Sequence, residues 1–349
     1  MNRSSILITG ATGFVGSALA ARFLADGQSL LCLSRNDESG ERTRSAIQGA
    51  ASGMSLQLKE DWRKRVRVVP SRIDPALFGG TSAVWNCAAE MGYSFKNLPQ
   101  SLKQNVEFSV ELFQAVAKGA PAGARFFQIS TAYTGAPTAD AIPERLHSGS
   151  PFWNAYQTSK WCAEHALSTA ASQQTSLPLT ILRPGIVVGD SRSGWSPAKA
   201  FGLYQFCDWT QAAKDAGASS LPLDMNPEIR PALVCIDEFI EAALAVSTRS
   251  PAAQYVHLTG GHPWTYGEIG AVMAREYGFP VLFVPQSQPG TDPAADRMAL
   301  NLVFARANWK FDQTTLLSVV AESPWRSRGL DVLERIVRQF KLARSASKI

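Results

Sequence analysis

The sequence predicts a doubly wound α/β fold: a parallel sheet with helices on both faces, followed by a smaller and mostly helical C-terminal lobe. Three observations carry this. Short runs of aliphatic and β-branched residues alternate with stretches of helical length over the first 190 residues. These runs are apolar throughout rather than on alternate residues, as strands covered on both sides require. A turn with three glycines separates the first run from the first helix, and after about residue 190 the alternation weakens. With 349 residues the chain is long enough for a large core.

Taken in order, SSILITG (4–10) reads as the first strand and FVGSALAARFLADG (14–27) as the first helix, with Gly27 as its stop. SLLCLSR (29–35) is the second strand, and a charged, helix-rich insert follows it. RVRVVPSRID (65–74), AVWNCAAE (83–90) and ARFFQIST (124–131) supply three more strands, with the helix LPQSLKQNVEFSVELFQAVAKG (98–119) between the last two. A helix containing NAYQTSKWCAEHAL (154–167) leads to a sixth strand, PLTILRPGIVVG (178–189). The expected division is residues 1–190 for the sheet domain and 191–349 for the lobe, with the strand and helix near 225–260 free to return to the sheet. In the lobe, CIDEFIEAALAV (235–246) reads as a helix, and Thr265 with Glu268 as a capping box. A final helix over 329–343 places Leu330, Leu333, Val337 and Phe340 on one face, to dock on the body.

Composition excludes several classes. Hydrophobic residues are 45% and charged residues 18%, as in a soluble globular protein. No apolar run nears the ~18 residues of a membrane span. The first residues run straight into a strand without a secretory apolar segment, so a cytoplasmic location is expected. Five scattered cysteines (Cys32, Cys87, Cys162, Cys207, Cys235) read as reduced thiols, and the four histidines share no ligand spacing with them, so no metal is expected. The net charge of +5 sits partly in residues 59–72 and partly in the C-terminal helix. These stretches lack interleaved aromatics and read as solvated helix faces, not a nucleic-acid surface.

TGATGFVG (9–16) sets Gly10, Gly13 and Gly16 between strand and helix, with Thr12, Phe14 and Val15 in the same turn. Glycines there allow a tight turn and close backbone approach to a pyrophosphate, which the helix N-terminus then attracts. The context is that of a Rossmann dinucleotide site. The second strand closes in LSRN, without the acidic residue that would hold the ribose 2′-hydroxyl of NAD. Ser34 and Arg35 suit a 2′-phosphate instead, so NADPH is the expected cofactor. Asp74 ends the third strand, to accept from the adenine amine or to cap a turn.

Tyr156 and Lys160 are four apart and share a helix face. They follow the fifth strand, at the carboxyl edge where ligands bind such sheets. A free phenol is a weak acid near neutrality, and a neighbouring ammonium with an oxidised nicotinamide would favour its phenolate. Ser130 and Thr131 close the fifth strand, with Thr131 placed to hydrogen-bond a substrate oxygen.

Together TGATGFVG, NCAAE, IST, the Tyr156–Lys160 pair and ILRPGIVVG resemble the extended short-chain dehydrogenase/reductase superfamily over residues 4 to about 245. The resemblance implies a catalytic Thr131, Tyr156 and Lys160, with Lys160 also on the nicotinamide ribose. It places Ala88, Ala89, Pro184 and Ile186 along the cofactor and Asn105 behind the site. The order of motifs is most similar to thioester reductases: terminal reductase domains of nonribosomal peptide and polyketide synthases, carboxylic acid reductases and fatty acyl-CoA reductases. These reduce an acyl thioester, held on an acyl or peptidyl carrier protein or on CoA, to an aldehyde and sometimes to an alcohol. Loops 91–95 and 190–195 are then expected to touch substrate, with Arg192 either on a pantetheine phosphate or simply exposed. Two departures stand out: Trp85 where relatives have histidine, and Gly185 after Pro184 where serine is commoner. The alternatives are a nucleotide-sugar epimerase or dehydratase, a hydroxysteroid-type dehydrogenase, a non-catalytic NADP-binding regulator, and, last, acyl transfer through Cys207.

Overall fold

The structure, a computed structural model, describes all residues except 1–4, 71, 150–151, 175, 198, 250–253, 262, 285–301, 303, 321–322, 327 and 347–349. Ser4 of the first expected strand, Ser71 of the third, and His262 therefore lie outside the described residues.

Seven parallel strands form the main sheet. In chain order they are β1 (Ser5–Thr9), β2 (Ser29–Ser34), β3 (Val66–Pro70), β4 (Thr81–Asn86), β5 (Arg125–Ile129), β6 (Leu179–Pro184) and, later in the chain, β10 (Tyr255–Leu258). The spatial order β10-β6-β5-β4-β1-β2-β3 reverses direction between β1 and β4, and that is where a doubly wound sheet opens a ligand crevice. Side chains alternate across the sheet as the pleat demands. Ile6 and Ile8 face α1 (Phe14–Ala25), whose Leu19 and Phe23 join the same core cluster. Leu7 faces the other way, onto Phe113 of α4 (Phe108–Gly119) and Leu167 of α5 (Ala155–Gln173). The helix α2 (Glu41–Gly53) lies in the insert after β2.

The expected strands overrun the observed ones at their carboxyl ends, because those ends turn out of the sheet to build a site. The fourth stops at Asn86 and the fifth at Ile129. The sixth breaks at Gly185. Pro184 has no N–H to give the ladder, and a Cβ at Gly185 would overlap the Ala232 carbonyl. Beyond the break, β7 (Ile186–Val188) pairs with β9 (Leu233–Cys235) in a separate two-stranded sheet. The chain then returns through α7 (Ile236–Arg249) to β10, which pairs with β6. The helix expected over 98–119 is three segments: α3 (Leu98–Leu102), a π turn (Lys103–Glu107) and α4.

The lobe packs α6 (Leu203–Asp215), α8 (Tyr266–Tyr277) and α10 (Leu330–Ala346) around a second core. The short strands β8 (Leu221–Leu223) and β11 (Val281–Phe283) pair beside it, and α9 (Thr314–Val319) lies against α7. Thr265 and Glu268 form the expected capping box. The last helix docks through Leu333, Val337 and Phe340, joined by Val332 and Ile336, but Leu330 stays 39% exposed. Basic residues of the two charged stretches are taken up in exposed ion pairs such as Arg63–Glu41 and Arg338–Glu276. All five cysteines are free thiols. Among the described residues no helix is long and apolar enough to cross a membrane, and no three or more His, Cys, Asp or Glu side chains gather as metal ligands.

Candidate active site

At the carboxyl end of β1, Gly10 adopts φ +68, and a Cβ there would come within 2.7 Å of the Ala88 nitrogen. A Cβ on Gly16 would overlap the Gly10 carbonyl oxygen, so the turn closes only with both glycines. Gly13 takes the N-cap position of α1 with no side chain bonded to the free N–H groups, and the first turn has no acidic residue. An uncapped helix start, positive at its end and bare of side chains, fits a dinucleotide pyrophosphate. Thr12 is exposed, and Phe14 and Val15 are half-buried beside the turn. The floor is a buried relay. The Ala88 N–H donates to Thr9 Oγ1 (3.0 Å), Thr9 Oγ1 donates to Asn86 Oδ1 (2.5 Å), and Asn86 Nδ2 reaches Gln128 Oε1 (2.7 Å). Ala89 is half-buried beside it.

At the end of β2, Ser34 is buried and Arg35 donates to Gln104 Oε1 at 2.8 Å. Arg42 of α2 approaches both, with Nη2 3.5 Å from Ser34 Oγ and bonded to the Arg35 carbonyl. Asp37 anchors this helix start by accepting from Thr43 N (2.8 Å) and Thr43 Oγ1 (2.6 Å), which pulls its carboxyl below the usual range although its burial opposes this. Sequence reading missed Arg42 because the charged insert offers several equivalent arginines. The Asp74 carboxylate accepts from Ala76 N at 3.0 Å and so caps the short helix Pro75–Phe78.

At the end of β5, Thr131 N-caps a short helical turn, Ala132–Thr134. Tyr156 stands in the first turn of α5, behind the cap that Asn154 makes to Gln157 N (2.8 Å). Lys160 is buried one turn on, its Nζ donating to the Ile129 carbonyl at 2.8 Å and lying 5.9 Å from the Tyr156 ring centre. The three side chains expected to act together are thus brought to one corner. Burial, and secondarily Tyr93, push the Tyr156 phenol well above its usual value, with the Thr131 hydroxyl opposing them. The expected preference for the phenolate is tied to an oxidised nicotinamide as well as to Lys160, whose ammonium is directed here to the Ile129 carbonyl. Burial also lowers Lys160 to about 8.

Asn105 lies in the π turn, where its Nδ2 reaches Ser159 Oγ (2.8 Å) and the Glu90 carbonyl (3.0 Å), and its Oδ1 accepts from Glu90 N (2.7 Å). It ties the loop after β4 to α5 directly behind Tyr156. Pro184 closes β6 in register with Leu258, and Ile186 is half-buried past the Gly185 break. Of the loops expected to meet substrate, 91–95 reaches the corner. The Tyr93 ring stacks 6.1 Å from Tyr156, and the Tyr93 carbonyl accepts from Ala155 N. Loop 190–195 is instead tied down: Asp190 accepts from Arg192 N and Ser193 N, Asp237 from Ser191 N and Oγ, and Arg335 donates to the Ser191 carbonyl. Arg192 itself is exposed.

Two features escaped sequence reading. Aromatic rings run on from Tyr93 through Phe304 to Tyr133, Trp153 and Trp309, with centres 4.8 to 6.3 Å apart. Behind the corner, Glu164 and Arg183 form a fully buried ion pair (2.6 Å). Removing one partner of such a pair costs about 3–5 kcal/mol. Trp85, which stands where relatives have histidine, is a core residue: it stacks on Phe127 (4.5 Å) and meets Phe23 (5.6 Å).

The male sterility protein family matches residues 8–225, well over half of the chain. The chain belongs to that family. With its Rossmann sheet it is an extended short-chain dehydrogenase/reductase of thioester reductase-like type, an NAD(P)-dependent oxidoreductase. Among its relatives are a non-reducing polyketide synthase of Emericella nidulans, 27% identical over 57% of this chain and 8% of that protein, and an isonitrile lipopeptide synthase of Streptomyces coeruleorubidus, 25% identical over 86% and 21%. The chain thus spans a small fraction of either relative. In fold, the male sterility family member resembles the terminal R domain of the myxalamid PKS-NRPS pathway (TM-score 0.75, 20% identity, 97% of this chain and 90% of that one). It also resembles a thiolation-reductase di-domain from an archaeal nonribosomal peptide synthetase (0.74, 18%, 97% and 90%) and the UDP-glucuronic acid 4-epimerase of Bacillus cereus (0.69, 17%, 97% and 99%).

Proposed function

We propose that this chain reduces an acyl thioester, carried on the phosphopantetheine arm of a carrier protein or on CoA, to an aldehyde with NADPH. The observation that carries this reading is the corner itself: Thr131, Tyr156 and Lys160 converge, with Tyr156 kept protonated by burial. A reductive site needs a proton donor, and a phenol held in its acid form is one. The relatives and the two reductase-domain structures support the thioester, and the position of Arg35 and Arg42 beside Ser34 supports the 2′-phosphate.

Gly10, Thr12, Gly13, Phe14, Val15 and Gly16 would hold the pyrophosphate, Ser34, Arg35 and Arg42 the 2′-phosphate, and Ala88, Ala89, Asn105, Pro184 and Ile186 would flank the rest. When bound, NADPH supplies a hydride. The Thr131 and Tyr156 hydroxyls hold the thioester carbonyl oxygen and stabilise it as it gains charge. Tyr156 then gives that oxygen its proton, and the hemithioacetal releases aldehyde and thiol. Lys160, protonated, keeps the local field favourable to the oxyanion. The aromatic run from Tyr93 to Trp309 offers the acyl group an apolar seat, to which the sheet domain brings Tyr93, Tyr133 and Trp153 and the C-terminal lobe brings Phe304 and Trp309.

The test is NADPH consumption with a panel of acyl-CoA and acyl-carrier-protein thioesters, scored against free thiol released. Tyr156→Phe should lose about 10³-fold in turnover with unchanged NADPH binding. A wild type that binds NADPH but releases no thiol from any thioester would overturn the reading and direct the search to alcohols and nucleotide sugars.

A further inference from the structure

Helix α5 carries Tyr156, Lys160 and Glu164 at successive intervals of four, hence on one face over about two turns. The last two grip the strand end immediately before Thr131. Lys160 Nζ donates to the Ile129 carbonyl at 2.8 Å, and Ser130 Oγ donates to Glu164 Oε1 at 2.5 Å. Thr134, at the end of the turn that Thr131 caps, donates to the Thr131 carbonyl at 3.4 Å and lies equally close to Glu164 Oε1. So the segment presenting the Thr131 hydroxyl and the helix presenting the Tyr156 hydroxyl are joined by a pair of clasps on consecutive residues. Arg183 of β6 completes the arrangement. Its Nε (3.0 Å) and Nη2 (2.6 Å) take the two Glu164 oxygens, and its Nη1 reaches the Arg145 carbonyl (2.9 Å) and His147 Nε2 (3.0 Å).

Glu164 and Arg183 are both 0% exposed. For stability alone an apolar pair of similar volume would serve as well, because desolvation offsets most of the attraction. What an apolar pair cannot do is direct the Ser130 hydroxyl, and with it the backbone that aims Thr131. We infer that Ser130 and Glu164 are positioning residues that set the Thr131–Tyr156 geometry from behind, without touching substrate. The inference rests on the proposed function only for the identity of the substrate.

The decisive comparison is Ser130→Ala against Ser130→Thr. The alanine variant keeps the Glu164–Arg183 pair intact, so it is expected to fold. Its kcat should fall by ~10- to 100-fold, as small misplacements of reacting groups do, with NADPH affinity unchanged because the phosphate turn lies on another strand. Ser130→Thr retains the hydroxyl and should restore most of the loss. Wild-type kcat in Ser130→Ala overturns the inference.

A second variant, Glu164→Gln, separates positioning from mere packing. The groups facing Lys160 are Cys87 just after β4, the Ile129 carbonyl from β5, and Tyr156 and Glu164 from α5. Removing the Glu164 charge should move the Lys160 titration to lower pH, followed by NMR of 13C-labelled lysine with NADPH bound. This readout needs no turnover. If wild type proves inert on every thioester, the thioester reading fails, while an unmoved Lys160 titration in a folded Glu164→Gln overturns the clasp.

Discussion

At the end of β1 the chain makes its ligand site by leaving atoms out. Gly10 and Gly16 clear side chains from the turn, Gly13 leaves the helix uncapped, and bare backbone meets the solvent. At the end of β5, by contrast, it adds buried polar side chains until every direction is fixed: Ser130, Thr134, Glu164, Lys160 and Arg183 are each bonded and almost wholly buried. The first construction suits a ligand brought in with its own charges and recognised by shape and dipole. The second suits two hydroxyls that must meet one oxygen, where angle matters more than affinity. The difference teaches which kind of change each corner tolerates: the first should fail on gaining an atom, the second on losing a hydrogen bond.

The largest effect on cofactor binding is therefore expected from the smallest addition. Gly16→Ala forces the turn open at about 3 kcal/mol, which should weaken NADPH binding by ~100-fold in a fluorescence titration while the protein stays folded. Unchanged affinity would break the contrast. The β5 corner should reveal itself through pH. With Lys160 lowered to about 8 and Tyr156 held above that, the group lost on raising pH is the Lys160 proton. Turnover that needs it should be level below pH 8 and fall about tenfold per unit above. Lys160→Arg, slower overall, should show no such limb, because a guanidinium keeps its proton there.

Smaller effects sharpen the β2 edge. Arg35→Ala and Arg42→Ala should each cut the preference for NADPH over NADH by ~10-fold, the worth of one charge-assisted phosphate contact, measured as the ratio of Kd values. Smallest of all, Asp74→Ala should cost about 1 kcal/mol as a lost cap, a shift of roughly 2 °C in Tm, with nucleotide affinity untouched. A loss of affinity would give Asp74 the adenine contact.

Much of this was legible in the sequence. The apolar runs give the strands of the main sheet up to β6, and the glycine spacing and the Tyr156–Lys160 pair point to the two strand ends at which these side chains lie. What escaped has physical reasons. Strand ends were read too long because residues such as Cys87 and Thr131 are as apolar or β-branched as the strands they leave. Glu164 and Arg183 are 19 residues apart and look, singly, like two surface charges. Only the fold makes them a buried pair. The role of Trp85 was within reach: along β4, Val84 and Trp85 must point to opposite faces, and Trp85 then falls on the side of Phe23 in α1. The π turn at Lys103–Glu107 leaves no compositional mark at all.

That turn has a consequence for how the chain tolerates insertions and deletions. A π turn is an α-helix with one residue too many, and here the surplus residue is what allows Asn105 to face Ser159 and Glu90 while Leu112, Phe113 and Val116 of the following helix still face the core. Delete any single residue from 103–107 and the helix becomes regular, with its two flanks still nearly in phase, because five π residues and four α residues sweep almost the same angle. The core face of α4 then stays in place, and what is lost is the bulge that turns Asn105 toward Ser159 and Glu90. In this stretch the count of residues, more than their kind, is what selection has to preserve.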